Sequence, residues 1–266
     1  MRLFALVLIL SACTRGGTAD LQLSLSHPRP ERLREVLSER FRTAQEKSEL
    51  TLLSSKVKLD DARLTLDFAV STDGPCTPAE SKRLLEHVRK LATASATLEI
   101  LSVSPETAEA LATELRKSGL EVQTPNDRPG LVTTNFAPDA SLLSRFEAQH
   151  RMKILRDHTN LWVVDPNPAL TSDDMLNITS TVRGVELVVR PEIVTRLAAL
   201  TELRRPLPIV LDQQFIGAPP LASRASEGRL RLDLGKALSP DLVSRFEAAT
   251  LSTPPRGASS TGSCRE

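Results

Sequence analysis

The side chains able to move protons are four histidines, His27, His87, His150 and His158, and a scatter of carboxylates that includes Asp165, Asp173, Asp174, Asp212 and Asp233. Hydrolysis by a triad needs a nucleophile on an exposing turn, with a histidine and a carboxylate converging on it. The chain contains no G-x-S-x-G, no H-E-x-x-H, no Walker loop and no G-x-G-x-x-G, so the spacings that carry those chemistries are missing. Each aspartate has a simpler use, because a short acidic side chain accepts from backbone N–H groups in turns and helix caps. Asp60-Asp61 could hold a cation, and turn chemistry explains the pair more cheaply. Cys76 and Cys264 have no histidine or second cysteine at metal-ligand spacing. The expectation is a protein that is not an enzyme, with no cofactor and no metal centre.

Composition points the same way. At 266 residues, with 40% apolar and 25% charged side chains, the chain can bury one or two ordinary globular cores. Aromatics are 3%, with no tyrosine and a single tryptophan, which counts against platforms for stacking bases or sugars. Its 34 basic and 33 acidic side chains nearly balance, so nothing favours a nucleic-acid partner.

Met1-Arg2 followed by apolar Leu3–Leu10 is too short to span a bilayer and right for a secretory leader. Leu10-Ser11-Ala12-Cys13 resembles the bacterial lipobox, which implies residues 1–12 as a lipoprotein signal peptide and Cys13 as the lipid anchor. Residues 13–19 then form a flexible tether. The product is expected on the periplasmic face of the cell envelope, held to the membrane through its N-terminal lipid only, with the outer membrane favoured over the inner. That compartment permits disulfides. Cys76 sits in a turn and Cys264 in a small-residue tail, and either a bridge between them or two separate thiols fits the sequence.

Between the ends, the hydrophobic pattern switches between periods of two and 3.6 residues. Leu21–Ser26 reads as a strand stopped by Pro28 and Pro30. A helix follows with Leu33, Val36, Leu37, Phe41 and Ala44 inward and Arg32, Arg34, Glu35, Glu39 and Arg42 on a solvated face. Val57–Leu59 and Leu64–Phe68 form a hairpin, Thr77-Pro78-Ala79-Glu80 opens a helix, and Leu98–Leu101, a helix from Ser104 and Leu120–Val122 complete the set. This order implies an α+β chain whose residues 20–124 make a two-layer, ferredoxin-like sandwich. Pro125–Gly130 reads as a linker. Residues 131–252 form a second small α+β sandwich, and residues 253–266, rich in Pro, Gly, Ser and Thr, read as a disordered tail. Ser144–Ala148 and Ser244–Ala248 are both S-R-F-E-A, a word an amphipathic helix reuses readily.

In the second region, Ile209-Val210-Leu211-Asp212, Phe215 and Ala218-Pro219-Pro220 read as strand, tight connection, strand and stop. These residues resemble the V-L-D-G-x-V-x-S-A-P word of the first periplasmic (head) domain of SecD and SecDF, the export-assisting membrane protein. Leu161–Val164 with Ala169–Asp174 resembles that family's V-L-x-x-x-P-x-L-T-G-x-D-L, and Pro191-Glu192 through Leu200-Thr201 its T-P-E-G…F…L-T. The likeness runs over Trp162–Thr250, with Gln213 and Ser172 standing where the family has glycine. It implies a SecD-head-like fold for residues 131–252, here as a stand-alone lipoprotein. The implied function is a non-catalytic polypeptide-binding module that assists export or maturation of secreted proteins. Asp212, Gln214, Phe215, Ile216, Ala218 and Pro219 are then the polypeptide-binding residues, with exposed strand edge as the docking surface. The alternative is a structural lipoprotein that docks on another envelope complex and has no export role.

Overall fold

The computed structural model describes residues 17–60, 63–72, 74–221, 225–235 and 237–265. Cys13, the leader and the Asp61 half of the expected hairpin turn lie outside the described residues. The chain is α+β and divides into two compact units, one made of residues 1–92 with 255–266 and the other of residues 93–254.

Unit 1 begins with β1 (Thr18–Ser26), α1 (Pro30–Glu46), β2 (Leu52–Asp60), β3 (Arg63–Ser71) and α2 (Pro78–Thr93). β1 keeps its period of two: Ala19, Leu21, Leu23 and Leu25 are buried on one face. They share that face with Leu64, Leu66, Phe68 and Val70 of β3, their antiparallel partners. Pro30 starts α1, since its fixed φ suits the first turn. Leu33, Val36, Leu37, Phe41 and Ala44 are all buried. Arg32, expected on the solvated face, is buried as well, and so is Arg40. Both belong to the i, i+4 row of Val36 and Ala44, so their stems share the inward stripe. Arg40 Nη1 donates to Leu91 O at 2.8 Å, a cation against the last turn of α2 where the helix dipole favours one. Burial, with the charge of Arg32 beside it, lowers the Arg40 pKa to about 10, so it stays protonated at neutral pH.

The chain then builds unit 2. Its elements are β4 (Leu98–Ile100), α3 (Pro105–Lys117), β5 (Val122–Gln123), β6 (Leu131–Thr134), α4 (Ala140–His150), β7 (Lys153–Asp157) and β8 (Asn160–Val164). After them come β9 (Leu170–Thr171), β10 (Met175–Ser180), β11 (Gly184–Val189), α5 (Val194–Glu202), β12 (Ile209–Leu211), β13 (Gln214–Gly217), β14 (Arg229–Asp233) and α6 (Pro240–Ala248). They form three sheets of strand order β5-β6-β8-β7, β13-β12-β4-β9 and β10-β11-β14. Alternation explains the layering. In the first sheet Val132, Ile154, Leu161 and Val163 pack on Leu111, Leu115 and Phe146 of α3 and α4. From its other face Leu131, Leu155, Trp162 and Val164 pack on Val210 of the second sheet. The far side of that second sheet, with Leu98, Ile100, Ile209 and Leu211, meets Val185, Leu187, Leu230 and Phe246. Near its two ends, unit 2 is tied by Ala96 N donating to Leu251 O at 3.2 Å.

The last element, β15 (Arg256–Arg265), returns to unit 1 and pairs antiparallel with β1 from Thr18↔Arg265 to Ser26↔Arg256. The sheet order becomes β15-β1-β3-β2. With a helix after β1 and another after β3, this is the ferredoxin-like βαββαβ arrangement, and residues 93–254 are inserted between its second helix and its last strand. Three further expectations change. Ferredoxin-like topology is present, yet its fourth strand is β15 rather than a segment before residue 124. Pro125–Gly130 is not a linker. It is the turn joining antiparallel β5 and β6, with Gly130 at φ 88 packed against the Val103 side chain, where a Cβ would lie 2.5 Å away. The tail is a strand. It lacks large apolar residues because α2 lies close above it: a Cβ on Gly262 would meet Ser81 Oγ at 2.8 Å and Leu21 Cδ2 at 3.0 Å.

Cys76 and Cys264 are joined by a disulfide, Cα–Cα 5.5 Å. It fixes β15 to the start of α2 and restricts the unfolded chain more than the folded one. Cys264→Ser is expected to lower stability by about 2–4 kcal/mol, read as a lower urea midpoint by far-UV circular dichroism. An unchanged midpoint would mean that the staple contributes nothing.

Candidate functional site

β12 and β13 form the hairpin expected at Asp212, with Leu211↔Gln214 and Val210↔Phe215 in register. Asp212 and Gln213 occupy the two central positions at φ 49 and φ 67, the pair of positive angles a type I′ turn needs. Left-handed backbone costs a non-glycine residue about 1–2 kcal/mol, so other contacts must hold the turn.

They converge on Asp212. Its N–H donates to Thr97 O at 2.8 Å, and Thr97 N–H donates back to Asp212 Oδ1 at 2.8 Å. Asp212 Oδ2 accepts from Arg245 Nε at 3.1 Å. The same guanidinium reaches Gln214 Oε1 at 3.3 Å and Leu211 O at 3.1 Å. One planar fork thus bridges the turn, both of its flanking residues and α6, a use for which arginine's fixed donor geometry is suited. Ser172 performs a matching task beside Thr97: its Oγ accepts from Leu98 N at 2.7 Å and donates to Ala96 O at 3.1 Å.

The other proposed contact residues separate, because successive side chains of a strand point to opposite faces. Phe215 and Ala218 pack with Trp162 and Val210 on one face. Ile216 packs into the Leu98 and Phe246 core on the other. Pro219 is buried, Pro220 is exposed, and Pro219 O accepts from Leu207 N at 3.1 Å. Among the six residues, Asp212 and Gln214 are brought together on Arg245, and both are exposed. What β13 offers outward is backbone: it is the outer strand of its sheet, and among the described residues no second strand pairs with it.

The remaining candidates take structural parts. Asp174 and Thr171 form a capping box, Asp165 accepts from Asn167 N and Asp233 from Gly235 N, and Asp173 accepts from Ser252 Oγ. His27 Nδ1 lies 3.0 Å from Arg29 O, and His150 stacks on Phe146 at 4.1 Å. Among the described residues no cluster of His, Cys, Asp and Glu could hold a metal ion, and no helix is long and apolar enough to cross a membrane.

No protein-family model matches the chain, and no curated protein matches it. The solved structures similar to it include three of SecDF. SecDF in a super-membrane-facing form has a TM-score of 0.42 at 16% identity, covering 94% of this chain and 30% of that one. A membrane component SecDF that enhances protein export has a TM-score of 0.38 at 17% identity, covering 88% of this chain and 94% of that one. SecDF described as a translocon-associated membrane protein, from a Thermus species, has a TM-score of 0.32 at 17% identity, covering 91% and 30%. The chain therefore spans 30% of the length of two of these proteins.

Thr97, Ser172 and Arg245 are the site residues that sequence reading passed over. Ser172 carried a signal, as a departure from the SecD word. Arg245 carried none, since it precedes buried Phe246 in an amphipathic helix like any solvated arginine. Two substitutions probe the turn in opposite directions. Asp212→Ala leaves Thr97 N–H and Arg245 Nε without their acceptor and is expected to cost about 1–2 kcal/mol. Gln213→Gly relieves the φ 67 residue and is expected to gain about 0.5–1 kcal/mol. Thermal melts of both variants check the signs.

Proposed function

We propose that this chain is a non-catalytic, lipid-anchored module of the bacterial cell envelope that binds extended polypeptide and assists export or maturation of secreted proteins. The observation that carries the reading is the β13 edge, a short strand outermost in its sheet and held at its turn by the Asp212–Arg245 pair. A fixed edge can add a strand from another chain, with main-chain hydrogen bonds giving affinity. Support also comes from the three SecD-like words around Leu161, Pro191 and Ile209, and from the lipobox-like residues before Cys13. Binding through the edge does not require Phe215, Ile216 or Pro219 to leave their cores. Half-buried Phe215 and Ile216 and buried Pro219 equally suit a protein that docks on one envelope complex, so the test must separate the two.

A photocrosslinking residue in place of Gln214, in secreting cells, is expected to capture a spread of exported chains. Capture of nothing overturns the proposal, and capture of one stoichiometric protein replaces it with the docking role. For the anchor, Cys13→Ser is expected to move the chain from the membrane to the soluble periplasmic fraction. Persistence in the membrane would remove the lipid.

A further inference from the structure

Unit 1 has its own open edge. β2 is outermost in the order β15-β1-β3-β2, and it is far longer than β13. Proteins blunt such edges with proline, charge, bulges or short length. β2 has no proline, and its register shift falls between Leu52 and Ser54, leaving Ser54–Asp60 regular. Pairing with β3 sets its two faces. Ser55, Val57 and Leu59 lie opposite Phe68, Leu66 and Leu64, on the side of the sheet that carries α1. Lys56 and Lys58 lie opposite Asp67 and Thr65, on the other side.

On the α1 side a groove of about 210 Å³ runs between β2 and the helix, lined among others by Leu37, Phe41, Leu52, Val57 and Phe68. Phe41 and Phe68 make its floor, edge to face at 4.7 Å. Val57 remains 41% exposed at its rim, although it points to the helix layer. On the helix rim Arg42 is neutralised by Glu39 and Glu46. Lys56 and Lys58 are exposed and, among the described residues, have no ion pair. On the lysine face Asp67 stands across the pair from Lys56 while Lys58 faces Thr65, so the two lysines leave that face with excess positive charge, and the groove on the other face mixes an apolar centre with Ser38, Gln45 and Ser55.

We infer that β2 and the α1 groove form a strand-addition site for an extended polypeptide segment in which apolar and acidic residues alternate. Side chains of an added strand alternate as those of β2 do. One set enters the groove between Val57 and Phe41, and the other stands beside Lys56 and Lys58. Opposite charges across neighbouring strands attract and like charges repel, so the lysines reject basic strands and admit acidic ones. Selectivity then comes from repulsion as much as attraction. The site lies wholly in unit 1 and stands whatever the Gln214 crosslinking returns.

The test titrates the full chain into two fluorescent synthetic peptides by anisotropy, one alternating Val and Glu and the other alternating Val and Lys. The acidic peptide is expected to bind about tenfold or more tightly than the basic one, and to weaken as salt is raised. Val57→Asp, at an exposed rim, is expected to weaken it about tenfold. Lys56→Glu combined with Lys58→Glu, on the far face from the core, is expected to reverse the preference. Failure of both peptides to bind, equal binding of the two, or no effect of Val57→Asp overturns the inference. So does a chain dimer, seen by light scattering, that Val57→Asp dissolves, since β2 would then pair with a second copy.

Discussion

The pairing of β15 with β1 is the constraint on which unit 1 depends. Without it, β1 would present a row of unpaired N–H and C=O groups beside a hydrophobic face, and α2 would lack the strand it packs over. The residues of β15 are small where α2 approaches, as Gly262 shows, and they contribute little apolar area themselves. Their place is held by backbone hydrogen bonds to β1 and by the Cys76–Cys264 bond. A strand with few hydrophobic contacts is fastened covalently.

Residues 93–254 lie within that closure as an insertion. The arrangement works because unit 2 brings its own ends together, with Ala96 bonded to Leu251 and Ser172 bridging Ala96 and Leu98. An insertion whose ends meet adds little closure entropy to the host fold. Inside unit 2 the same economy appears at Asp212, where one carboxylate and one guanidinium organise a turn built from two residues with positive φ. The carboxylate first read as a binding group has a structural task, accepting from Thr97 N–H and from Arg245. Among the described residues, β13 and β2 are outermost strands of their sheets.

Elements with strong periodicity were legible in the sequence. The α1 core from Leu33 to Ala44, the helix start at Thr77-Pro78, and the hairpin at Asp212 all follow from spacing, proline and turn chemistry. Three things were not. β15 has no apolar alternation, because close packing against α2 requires small residues, and small residues with Pro and Gly look like a tail. Pro125–Gly130 carries the same turn chemistry in a linker as in a loop between paired strands, and only pairing across it distinguishes them. Arg32 and Arg40 share a helical row with Val36 and Ala44, so charge concealed their burial. The site was partly legible: Asp212 and Gln214 stood out, whereas Arg245, which organises them, approaches from α6 and only tertiary packing joins the two. The S-R-F-E-A words show the limit, since Phe146 and Phe246 are both buried while Glu147 serves one copy by accepting from Ile154 N and Arg245 serves the other.

Amide hydrogen exchange across β15 tests the central claim most directly, that the C-terminal segment completes the unit 1 sheet around an inserted unit. The account predicts that amides of β15 bonded to β1 exchange as slowly as those between β1 and β3, and that all are released in one opening event. Exchange of residues 256–265 at the rate of a free peptide, with β1 and β3 still protected, would contradict it.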